Sequence, residues 1–110
     1  LSEGDLGLPA GVPVVLYLHN PREKVWGMLL SLSMAGIVVR GLELSCFDDW
    51  LQQEKRGEDE GLSPLTIFYP MHRLERLERD ESTSAVISYA DRFVREVGRP
   101  LEEVPSFRNR

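Results

Sequence analysis

The chain has 110 residues, 42% of them hydrophobic and 28% charged, and a net charge of −5. That length suits one domain around one core, and the apolar content excludes a wholly disordered chain, which could not offset its ordering entropy. The acidic balance disfavours nucleic acid, whose phosphates call for a basic surplus. No apolar run approaches the roughly 20 residues that span a bilayer. The Gly- and acid-rich opening lacks the basic start and apolar middle of a signal peptide. The single cysteine, Cys46, cannot form an internal disulfide. Acidic Asp48 and Asp49 beside it disfavour the thiolate, so it reads as a packing residue in a reducing, cytoplasmic setting.

Residues 1–11 carry Gly4, Gly7, Pro9 and Gly11 and read as a flexible tail. Val14 to Leu18 are β-branched and aromatic, the mark of a strand, and His19, Asn20 and Pro21 close it. A second strand is predicted from Glu23 to about Ser33. Strict alternation puts Val25, Gly27, Leu29 and Ser31 on one side, and Trp26, Met28, Leu30 and Leu32 on the other. Both sides are apolar, so the strand is buried or strongly curved, with Gly27 at a bend or close backbone approach. Met34, Ala35 and Gly36 form a turn into a third strand, Ile37 to Leu44, where Gly41 marks another kink.

An insertion over residues 45–63 then changes the period. Ser45 is placed to cap a short helix with Asp48 three residues on, and Phe47, Trp50 and Leu51 share one face. Residues 54–61 read as a solvated acidic loop. Leu65 to Tyr69 make a fourth strand closed by Pro70, and Arg73 to Asp80 a fifth. The last element is a helix over residues 84–97, capped by Ser82 or Ser84. Val86, Tyr89, Ala90, Phe93, Val94 and Val97 form its apolar stripe, and Gly98 and Pro100 stop it. Residues 99–110 read as a second tail.

The predicted class is mainly β (α+β). Three strands, an excursion and two more strands are the order of an Sm-like or SH3-like five-stranded barrel, here with a short inserted helix and a C-terminal amphipathic helix. Two stretches carry the resemblance, which covers roughly residues 12–80 of a domain spanning 12–98. Val25-Trp26-Gly27-Met28-Leu29 resembles the apolar-x-Gly-x-apolar core of the second strand in the Sm-like (LSm/Hfq-type) superfamily. Phe68-Tyr69-Pro70-Met71-His72-Arg73-Leu74-Glu75-Arg76-Leu77 resembles its second signature, with apolar Leu74 and Leu77 two and five places after His72. The resemblance implies a self-associating barrel, with RNA binding in the Hfq-type members. The departures bear on function. Met71 stands where those members carry a Lys, and Ser33-Met34-Ala35-Gly36 offers no side chain to stack on a base. The N-terminal helix of the Hfq RNA face is replaced by the Gly/Pro-rich tail.

The residues offer little chemistry. His19 and His72 lack further ligands at metal-binding spacing. There is no nucleophile elbow and no phosphate-cradling glycine loop. Arg73, Arg76 and Arg79, interleaved with Glu75 and Glu78, read as a salt-bridged solvent face. Trp26 and Trp50 read as core anchors, a partly exposed Trp50 being the sign of a partner surface instead. The expectation is a non-enzymatic binding or scaffolding module without cofactor or metal, a homo-oligomer with an undefined protein partner and no membrane association. Its interface is expected on the fourth and fifth strands, with Leu65, Ile67, Tyr69, Phe93 and Val97 as contacts. The alternative is an RNA-binding Hfq-like ring with His72 and Arg73 near the pore, and a third option is an enzyme using His19 or His72.

Overall fold

In a computed structural model, which describes residues 8–58 and 61–107, five strands form one antiparallel sheet. They are β1 (Pro13–Leu18), β2 (Glu23–Leu32), β3 (Gly36–Glu43), β4 (Leu65–Pro70) and β5 (Leu74–Arg79). Their order is β4-β3-β2-β1-β5, so β4 and β5 are the two edges of a sheet that does not close. Helix α1 (Phe47–Arg56) connects β3 to β4, and α2 (Tyr89–Val97) follows β5. The fold is mixed α+β and mostly β. The tail expected over residues 1–11 falls largely outside the described residues. At its end Leu8 and Val12 pack on the sheet, and Gly11 N–H donates to the Leu29 carbonyl at 2.7 Å.

Because β1 and β2 are apolar on both sides, the sheet carries two cores. On one side, here called inner, Val14, Leu16, Leu18, Val25, Leu29, Leu32, Ile37 and Val39 pack together. On the outer side Val15, Trp26 and Leu42 pack under α1 and α2, with Phe47, Trp50, Leu51 and Phe93. The Trp26 and Phe47 rings meet edge to face at 5.1 Å, and Trp50 stacks on Phe93 at 5.1 Å. Such geometries suit the positive edge and negative face of aromatic rings. Both tryptophans are fully buried, so Trp50 is a core anchor and not a partner surface.

Two glycines face each other across β2 and β3, Gly27 paired with Gly41. A Cβ on Gly27 would lie 2.4 Å from the Arg40 carbonyl oxygen, and one on Gly41 2.2 Å from that of Trp26. Only glycine allows the two backbones this close. A register shift between Leu29 and Ser31 adds a bulge. An extra residue reverses the alternation beyond it, which corrects one sequence expectation: Leu32 joins Val25 and Leu29 on the inner side instead of sharing the side of Trp26.

Three more expectations are corrected. Helix α1 has Cys46 at its N-cap position with no side-chain cap, and Ser45 lies in a preceding 3₁₀ turn. Helix α2 begins at Tyr89, not at residue 84. The Thr83 hydroxyl accepts from the N–H groups of Ala85 and Val86, and this local turn competes with helix. Ser88 is the actual cap, accepting from Asp91 N–H at 3.0 Å. Val86 is left outside the helix, 66% exposed. Finally, residues 101–107 are no frayed tail: Leu101 and Val104 are buried in the outer core, and Phe107 packs beside them. Their spacing of three suits the two 3₁₀ turns Leu101–Glu103 and Pro105–Phe107, between which Val104 lies.

Candidate functional site

β4 reads Leu-Thr-Ile-Phe-Tyr-Pro and carries no charge. Its register with β3 sets Ile37 opposite Tyr69, Val39 opposite Ile67 and Gly41 opposite Leu65. Leu65, Ile67 and Tyr69 therefore project to the inner side, and Thr66 and Phe68 to the outer side. Beyond the strand, Met71 N–H donates to the Ala35 carbonyl at 3.0 Å. Antiparallel ladders alternate, so the backbone groups of Leu65, Ile67 and Tyr69 face β3, and those of Thr66 and Phe68 face the open side. Pro70 ends this edge without a donor to leave unpaired. Leu65 is 61% and Phe68 55% exposed. The Phe68 ring lies over Gly36, where a Cβ would come within 2.7 Å of it.

β5 is finished differently. Asp80 N–H donates to the Pro13 carbonyl at 2.9 Å, so Leu77 and Arg79 turn their backbone groups outward. Leu74 and Leu77 pack on the inner core, and Glu75, Arg76 and Arg79 are exposed. Arg76 bonds to Glu78 and stands over the Tyr17 ring at 4.5 Å. Tyr17 hydroxyl donates to Glu78 at 3.1 Å. Burial, then Glu78, raises its phenol pKa above the ordinary value. On the other edge strand, burial first and Glu23 second raise that of Tyr69.

A 3₁₀ turn, Met71–Arg73, joins the two edges. Here Arg73 works as a staple. Its Nε donates to the His19 carbonyl at 2.8 Å, and its Nη2 to the Pro21 carbonyl at 2.8 Å and to Glu23 Oε1 at 3.2 Å. His19 and His72 do approach each other, but through a ring and a backbone: His19 Nε2–H donates to the His72 carbonyl at 2.9 Å. The His72 side chain is exposed.

The structure thus divides the five expected contacts. Leu65, Ile67 and Tyr69 lie together on β4. Phe93 is fully buried against Trp50, and Val97 packs on the same outer core, so neither joins that edge. Asp80 escaped the sequence reading. One of its oxygens accepts from Tyr89 N–H at 3.0 Å; the other accepts from Ala90 N–H at 2.8 Å and Trp26 Nε1–H at 3.0 Å. Its carboxylate ties the end of β5, the start of α2 and the outer core together. Position alone hinted at this, an acid closing a strand ahead of a helix.

A cleft of about 380 Å³ between the end of α1 and the C-terminal 3₁₀ turns is lined by Gln53, Glu54, Arg99 and Ser106, among others. Its charges are paired, Arg99 Nη2 meeting Glu54 at 3.2 Å. Gln53 closes the acidic loop by giving and taking hydrogen bonds with Leu62 backbone groups at 2.7 and 2.9 Å. Among the described residues no three His, Cys, Asp or Glu side chains are placed to hold a metal ion, and no helix is long and apolar enough to cross a membrane. In comparisons with known proteins, no family model, no curated protein and no solved structure matches the chain.

Proposed function

We propose that this protein is a non-enzymatic binding and scaffolding module, built on an Sm-like barrel, that self-associates through β4. The strand order, the 3₁₀ turn between β4 and β5 and the pairing of Gly27 with Gly41 support the Sm-like reading. One observation carries the functional reading: an edge strand free of charge, with Leu65 and Phe68 exposed on its two sides. Natural sheets blunt such edges with charges or cover them, because unpaired backbone groups beside apolar side chains recruit another strand.

RNA binding by an Hfq-like ring finds less support. The Arg73 guanidinium is engaged by two carbonyls and Glu23, leaving His72 without its basic neighbour as a phosphate contact. Sedimentation velocity over a wide concentration range tests the proposal. Wild-type protein is expected to associate as concentration rises, and Phe68→Lys to stay monomeric with an unchanged circular dichroism spectrum. A wild-type chain that stays monomeric throughout refutes the proposal. A steeply salt-dependent mobility shift of oligo-uridine would instead favour RNA.

A further inference from the structure

We infer that the β4 edge receives the β4 edge of a second copy, antiparallel across a two-fold axis through Ile67, so that assembly closes at a dimer. The inference rests on the self-association proposed above and specifies its geometry. Two features of the edges select this arrangement over head-to-tail pairing of β4 with β5.

The first is charge. β5 presents Glu75, Arg76, Glu78 and Arg79, whereas β4 offers no charged side chain. Pairing the two would set Glu75 and Arg79, which form no ion pair among the described residues, beside the neutral side chains of β4, and a desolvated charge without a partner is costly. β4 against β4 brings no charged side chain of either strand to the seam. The chain's net charge of −5 repels a second copy over much of the surface, which favours approach along this neutral edge.

The second feature is the hydrogen-bond pattern. The open edge of β4 has two backbone donors, at Thr66 and Phe68, placed symmetrically about Ile67. Prolines Pro64 and Pro70, which lack an N–H, bracket them. A two-fold axis normal to the sheet makes the strands antiparallel and keeps both inner sides together. Centred on Ile67, it pairs each Thr66 N–H with the Phe68 carbonyl of the second copy, and each Phe68 N–H with the Thr66 carbonyl of the second copy. All four edge donors are satisfied. Leu65 then lies across from Tyr69 on the inner side, and Thr66 from Phe68 on the outer. Such an isologous contact uses one patch twice and leaves β5 free.

Light scattering at concentrations where the protein associates, combined with cysteine cross-linking, tests this. The expected mass is twice the 12.5 kDa of the chain. In a Cys46→Ser background, Ile67→Cys should oxidise to a covalent dimer, because a non-hydrogen-bonded antiparallel pair brings the Cα atoms within disulfide reach. Leu77→Cys on β5 should not cross-link. Rings or filaments larger than a dimer, or a wild-type dimer that cross-links through Leu77→Cys and not through Ile67→Cys, overturn the two-fold arrangement while leaving self-association standing. A chain that is monomeric at every concentration removes self-association itself, and this inference with it.

Discussion

The two edges of this sheet face the same problem and solve it differently. Along β5, charged pairs follow each of two leucines that pack inward, and Arg76 is held by Glu78 and Tyr17. Along β4 there is no charge, and Leu65 and Phe68 stand open on its two sides. β5 is protected against wrong partners by charge along its length, whereas β4 has only prolines at its two ends. The contrast is what supports the proposal that β4 is the associating edge.

Substitutions that reach the frame behind both edges should have the largest effects. Gly41→Val pushes a Cβ into the Trp26 carbonyl. It should cost at least ~3 kcal/mol, the upper end of the range for overpacking, seen as a lower urea midpoint with both edges lost together. Next comes a change confined to the β5 side. Asp80→Ala removes the acceptor for Tyr89 N–H, Ala90 N–H and Trp26 Nε1–H. A loss of ~2–3 kcal/mol is expected, with faster amide exchange in α2 while self-association through β4 persists. Loss of association in a folded Asp80→Ala protein would show that the edges do not act separately.

Smaller still is the alkaline effect. Tyr17 beside β5 and Tyr69 on β4 both have phenol pKa values raised in the folded chain. The folded state therefore holds these protons more tightly than the unfolded state. The stabilisation is complete below the ordinary phenol value of about 10 and is lost as pH rises through the folded values. Tyr69→Phe and Tyr17→Phe should each flatten the fall in stability above that pH, measured by urea unfolding. If β4 is covered by a second copy, the Tyr69 contribution should grow with protein concentration and the Tyr17 contribution should not.

Much of this architecture was legible because strand and helix periods act locally. The run from Val14 to Leu18, the alternation around Gly27 and the Pro70 corner each point to their element. What escaped depends on tertiary partners. The bulge between Leu29 and Ser31 reverses which side Leu32 takes, and no local residue type announces it. Val86 fits the helical stripe by spacing, yet Thr83 and Asp80 capture the backbone donors that set the start of α2. Phe93 reads as an interface contact because its cover, Trp50, comes from the inserted helix, far away in sequence. Of the candidate edge, the placing of Leu65, Ile67 and Tyr69 on one strand was legible, whereas the exposure of Phe68 was not.

Hydrogen exchange measured residue by residue at low and high protein concentration compares the two edges in one experiment. The outward amides of Thr66 and Phe68 should gain protection as concentration rises, while those of Leu77 and Arg79 exchange at unchanged rates. Equal rates for the β4 amides at all concentrations, or protection arising on β5 instead, would contradict the assignment of function to the neutral edge.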